Sequence, residues 1–181
     1  MNRAALTTRP FLFLIPAVLA ACAMSPKVDN ATLPEAVRVP AGHVQSGHTT
    51  TSGGQLTYEC RAKKDMAGHE WVFVGPDAQL MDRMGKKVGR YYGPPATWEA
   101  NDGSKVTATQ VAVSTNGAAN LPLQLTKANP ATGMGMMQGV TFIQRVATVG
   151  GAAPSAACTK ANEGANQLVR YTADYIYYKA M

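Results

Sequence analysis

Three sets of side chains in this chain have the types that chemistry needs. Ser104, His69 and Asp102 supply the nucleophile, base and acid of a hydrolytic triad. Glu70, Glu99 and Asp174 supply carboxylates of the kind that glycosidases pair. Neither set is held together by a motif: Asp102-Gly103-Ser104 is accounted for by a tight turn, and no strand–turn–helix elbow surrounds the serine. Met134, Met136 and Met137, in the run Gly-Met-Gly-Met-Met-Gln-Gly, join His43 and His48 as thioether and imidazole groups that suit copper. One methionine run between glycines more often forms an apolar turn or fills gaps in a core. The His43-x4-His48 spacing matches no zinc pattern. The residues therefore define no catalytic group, no metal site and no cofactor.

Arg145 is the more informative charge, because it interrupts the otherwise apolar run Val140-Thr141-Phe142-Ile143-Gln144-Arg145-Val146. A guanidinium placed there needs a carboxylate, with Asp174 and Asp102 as the candidates, or else an anionic ligand. Trp71, Trp98, Tyr91 and Tyr92 provide the flat rings that could line a glycan groove beside it, although core packing is the ordinary use of such rings. Arg145, Trp71, Trp98, Tyr91, Asp102 and Asp174 are thus the candidate ligand-binding residues.

The three cysteines divide by role. Arg3 and Arg9 precede the apolar run Phe11 to Leu19, which is too short to span a bilayer and ends in small residues, as a cleavable signal does. Leu19-Ala20-Ala21-Cys22 matches a bacterial lipobox, so residues 1–21 are read as a lipoprotein signal and Cys22 as the acylated new N-terminus. Each buried methylene of an acyl chain contributes about 0.8 kcal/mol, so several chains anchor the protein firmly. Ala23 stands where an inner-membrane retention signal places Asp, which favours the outer membrane. Cys60 and Cys158, 98 residues apart in an oxidising compartment, are expected to pair. Such a bridge stabilises by about 2–4 kcal/mol.

The elements that must position these groups read as strands. Residues 22–33 are small and polar, a flexible tether, and 34–181 form a single domain. Glu35 to Pro40 is predicted as a short strand, and the glycine-rich stretch 42–54 as a loop. Leu56, Tyr58 and Cys60 alternate with polar neighbours, the period-two pattern of a half-buried strand. Glu70 to Val74 follows, then Pro76 to Asp82, which is compatible with one helical turn entered through proline. Asn101-Asp102-Gly103-Ser104 signals a hairpin between Thr97-Trp98-Glu99 and Lys105 to Val113, the latter resembling a strand packed on both faces. Pro122 marks the run Leu121-Leu123-Leu125 as an edge strand. Gly139 to Thr148 and Tyr171 to Tyr178 complete about eight strands. The predicted class is all-β, an antiparallel sandwich or small closed barrel with at most one short helix.

Composition sets the outer limits. Removing residues 1–21 leaves 160 of the 181 residues, enough for one domain with a core. The net charge of +6 becomes +4, because Arg3 and Arg9 are the only charges removed. A modest basic excess with no run of Lys or Arg beyond two suits solvation and a weak preference for anionic surfaces. No nucleic-acid motif accompanies it.

The order of motifs resembles the domain of unknown function 3455 family, found in exported bacterial and fungal proteins. The pieces are Val39-Pro40-Ala41-Gly42-His43, Tyr58-Glu59-Cys60, Trp71 to Pro76, Trp98 to Ser104, Val140 to Val146, Gly150 to Pro154, Cys158 and Tyr171 to Tyr175. The resemblance implies an exported domain and brings no activity with it. The expectation is a cell-envelope lipoprotein whose β domain binds or scaffolds a glycan or another envelope component without catalysis, its membrane partner reached through the lipid. The alternatives are an envelope-acting enzyme with a site around Trp71–Ser104, or a weak copper-binding module.

Overall fold

The computed structural model describes residues 28–181. The signal segment and Cys22 lie outside the described residues. Eight antiparallel strands follow one another around a closed barrel: β1 (His43–Ala62), β2 (His69–Met81), β3 (Lys87–Tyr92), β4 (Thr97–Ala100), β5 (Lys105–Ser114), β6 (Leu123–Ala128), β7 (Val140–Gly150) and β8 (Asn166–Ala180). Each strand pairs with its neighbours in sequence, and β8 closes the ring on β1. Closure leaves no free sheet edge, which suits a small β domain whose described residues form no α-helix to cover one.

Up-and-down order sends alternate connections to opposite ends. Segments 63–68, 93–96, 115–122 and 151–165 share one end, here called the disulfide end because Cys60 and Cys158 are bonded there, with Cα atoms 5.5 Å apart. The other end carries 82–86, 101–104, 129–139 and both limits of the barrel chain, where the Met181 amide donates to the Gly42 carbonyl at 3.0 Å.

Several local expectations are corrected. The glycine-rich stretch 42–54 is mostly strand: β1 begins at His43 and bends through a bulge between Ser52 and Gln55. Gly53 takes a left-handed φ of +62° there, and a Cβ on Gly54 would collide with the Tyr171 backbone. Pro76 to Asp82 is no helical turn; Pro76 to Met81 lies in β2. Pairing with β3 starts only at Asp77, so the missing amide of Pro76 faces no β3 partner. Pro122 precedes β6 and marks no edge. The second half of β5 is not packed on both faces, since Val111 and Val113 are exposed.

The segment 28–40 is a strap rather than a strand or a tether. Two 3-10 turns (Asn30–Thr32 and Glu35–Val37) lay it along the outer wall. Its residues Val28, Leu33, Val37 and Val39 cover the outward side chains of Leu123, Leu125, Val146, Ile176 and Tyr178. Polar groups close the seam: Asn30 exchanges two hydrogen bonds with the Val39 backbone at 2.9 Å. The fully buried Gln144 donates to Asn30 Oδ1 and the Val37 carbonyl, and it accepts from the Tyr178 hydroxyl.

Candidate functional site

Alternation along β7 and β8 decides which groups enter the barrel. On β8, Tyr171, Ala173, Tyr175 and Tyr177 belong to the interior cluster, whereas Ile176 and Tyr178 face the strap. On β7, Ile143 is interior, and Gln144 and Val146 lie against the strap. Arg145 therefore points inward, and its charge acts on the hydroxyls of Tyr58, Tyr91, Tyr171 and Tyr175.

Those rings form a single aromatic core. Tyr91 stacks on Trp98 with centroids 4.6 Å apart, and Tyr175 lies 4.9 Å from Tyr91 and 5.4 Å from Trp98. Burial pushes the Tyr91 and Tyr175 phenols well above their ordinary range, Arg145 opposing the rise in both. Burial also raises Tyr171. All three hydroxyls are therefore neutral at physiological pH. The Tyr58 hydroxyl donates to the Gly151 carbonyl at 2.8 Å. No described protein group stands in hydrogen-bonding geometry to Trp98 Nε1 or to the Tyr171 and Tyr175 hydroxyls. The Tyr175 hydroxyl nonetheless makes loose contacts with the Tyr171 and Tyr91 hydroxyls, which shift the ionisation of all three.

Arg145 finds neither carboxylate expected of it. Its Nε and Nη2 donate to the Pro122 carbonyl at 3.2 and 3.0 Å, and no ion pair among the described residues includes it. Alternation puts Asp174 on the outer wall, where His48 Nε2 approaches it at 3.1 Å and Thr50 donates at 2.7 Å. Burial acts to raise the Asp174 carboxyl; the hydrogen bonds and charge from His48 and Thr50 outweigh it and hold the group below its usual value. Asp102 belongs to the rim opposite the disulfide. It accepts from the Ser104 hydroxyl at 2.6 Å, the Ser104 amide at 2.8 Å and the Met136 amide at 2.8 Å. These bonds, the Ser104 hydroxyl first, lower its pKa. The three groups that were to meet are thus inside, outside and at one rim.

The catalytic sets are separated in the same way. Ser104 is at the rim carrying both chain limits, while His69 pairs with Glu163 at the disulfide end. Glu99, on β4, is held by Arg90 and Tyr92 of β3, across the ring from Asp174 on β8. The methionines are not a ligand set either: Met137 is buried in the interior, and Met134 is exposed. His43 packs edge-on against Phe142, and among the described residues no cluster of three His, Cys, Asp or Glu is placed to hold a metal. Of the four rings suited to a glycan groove, two are lost to the core and two, Trp71 and Tyr92, stay partly exposed, Tyr92 with Arg90 stacked over it at 4.3 Å. Trp98 and Tyr91 are buried, and Trp71 Nε1 donates to the Ala156 carbonyl beneath the loop that carries Cys158.

Sequence reasoning found Arg145, Trp98 and Tyr91 but missed Tyr58, Tyr171 and Tyr175 as their neighbours. The signal was present: Tyr171-x-Ala173-x-Tyr175-x-Tyr177 is a period-two apolar face.

Fold and interior together define a disulfide-closed, eight-stranded up-and-down barrel with an aromatic core beside one part-buried arginine. The family described as protein of unknown function DUF3455 matches residues 40–179, and the chain belongs to it. No curated protein and no solved structure matches the chain.

Proposed function

We propose that the protein is an exported, lipid-anchored binding module of the cell envelope with no catalytic activity of its own. The observation that carries this reading is the separation just described. An active site needs titratable groups converging in an accessible concavity, and here the Ser104–Asp102 pair, His69, Glu99 and Asp174 are tied to local partners in four different parts of the barrel. Export is supported by Leu19-Ala20-Ala21-Cys22 and by the Cys60–Cys158 bond, which suits an oxidising compartment. Ala23 after the lipidated cysteine favours the outer membrane, with the barrel facing the periplasm or the surface.

The test is fractionation and intact mass of the native protein. Acylated Cys22 in the membrane fraction is expected, and Cys22→Ser should release the chain or leave its signal uncleaved. An unmodified mature N-terminus overturns the anchor. Saturable retention of the detergent-solubilised lipoprotein on isolated envelope material is expected without change to that material. Release of reducing ends or acyl groups from it overturns the non-enzymatic reading.

A further inference from the structure

The barrel interior holds a surplus of hydrogen-bond donors around one positive charge. Trp98 Nε1 can only donate, and the Tyr171 and Tyr175 hydroxyls can each donate one proton. All three residues are almost fully buried, at 1%, 3% and 1% exposure; Trp98 Nε1 has no described protein partner, and the Tyr171 and Tyr175 hydroxyls have only the loose contact they make with each other and that Tyr175 makes with Tyr91. Burying a donor with no partner, or a poor one, is unfavourable, so these groups in one aromatic cluster mark a place where a polar guest is worth binding. Arg145 adds a fixed charge that no described carboxylate neutralises.

The orientation of that guanidinium narrows the guest. Pro122 O occupies its Nε/Nη2 edge, which leaves the end-on edge, formed by Nη1 and the second Nη2 proton. That edge matches the two oxygens of a carboxylate. Donors with no protein acceptor or a poor one, beside a net positive charge, favour an anion over a neutral guest, and a low-dielectric setting strengthens the preference. Ala173, between Tyr171 and Tyr175 on the same interior face, adds little bulk between the two hydroxyls. Tyr171 also lines an outer groove with Gly53, Gly54, Val149 and Arg170, so a second cation stands on the outer side of the same wall.

From these observations we infer that the barrel interior binds a small carboxylate monoanion, held end-on by Arg145 with the Tyr171 and Tyr175 hydroxyls and Trp98 Nε1 as further donors. The inference names a ligand class for the binding module proposed above and rests on that reading. The two fail separately, because the mass at Cys22 does not depend on what the barrel holds.

The test uses acetate as the probe, with the full-length lipoprotein in detergent. Thermal unfolding is followed while acetate replaces chloride at constant ionic strength, and in parallel with acetamide, the neutral isostere. Acetate should raise Tm saturably, as a ligand that binds only the folded state must, and acetamide should not. Arg145→Gln should abolish the acetate-dependent rise. Arg145→Lys, which keeps the charge and loses the fork, should weaken acetate at least tenfold. The inference is overturned if Tm is unchanged as acetate replaces chloride, if acetamide acts equally, or if Arg145→Gln retains the response. Should that variant not fold, the acetate-against-acetamide comparison on the unsubstituted protein still decides.

Discussion

Asp102 shows how far a single carboxylate reaches in this molecule. It accepts from the Ser104 amide and hydroxyl and from the Met136 amide, while Ser104 Oγ accepts from the Met137 amide at 3.1 Å. Two residues of the β4–β5 hairpin thereby pin the 129–139 loop across the barrel rim. Asp102→Ala removes three of these bonds and should cost about 2 kcal/mol in urea unfolding. Gly135→Ala should also destabilise, because Gly135 has φ +145° and a Cβ there would overlap the Asp102 carboxylate. The depressed pKa of Asp102 fixes a sign. The carboxylate form is favoured by folding, so its contribution is present above the unfolded-state value near 4 and is lost as pH falls through the folded one. A urea midpoint that drops below pH 4, and drops less in Asp102→Asn, is the expected result. The hairpin was legible from Asn-Asp-Gly-Ser alone. The use made of the methionine run was not, since its backbone amides act here and thioether chemistry drew attention to the wrong atoms.

At the scale of elements, the strap is the least predictable part and one of the best satisfied. Val37 is fully buried against the outer wall, and its carbonyl accepts from the buried Gln144 at 2.6 Å. Val37→Ala should destabilise by about 2 kcal/mol, part of the value of burying an aliphatic side chain, read as a lower thermal midpoint. Gln144→Leu should cost more than its area suggests, because Asn30 and the Val37 carbonyl lose their donor. Alternation revealed the strands whose two faces differ, such as Leu56-Tyr58-Cys60 and the Tyr171 to Tyr177 face. It failed where both faces of the wall are covered, as at Ile176 and Tyr178, and where small polar residues form strand, as in His43 to Gly54. There the partner strands β8 and β2 impose a conformation that the local residues only permit.

For the whole molecule, closure and the aromatic interior set the response to conditions. The Cys60–Cys158 bond joins β1 to the β7–β8 connection across 98 residues. Its loss in Cys60→Ser with Cys158→Ser should lower stability by about 2–4 kcal/mol, measured by unfolding with and without reductant. Buried phenols define the alkaline limit. Tyr91, Tyr171, Tyr175 and Tyr177 all have folded pKa values raised by burial, so the neutral form is favoured by folding. Their stabilisation is complete below the unfolded phenol value near 10 and declines as pH rises beyond it. Absorbance at the phenolate band should show a lagging fraction of tyrosines that titrate together with unfolding. The all-β class, the approximate strand number and the disulfide were within reach of the sequence, whereas the choice of closed barrel over sandwich was not. The inward direction of Arg145 was not, because it depends on which face of β7 the strap covers.

Val28 of the strap sits beside His48, Arg83 and Met81 at the rim away from the disulfide, so the lipid anchor proposed at Cys22 would lie only six residues up the chain from that rim. Fully stretched, six residues reach about 20 Å. A mooring so short would hold the barrel upright on the bilayer, with the rim that carries both chain limits turned toward the headgroups. The mouth roofed by Pro122 and Gly151 would then look outward, into the space where solutes arrive.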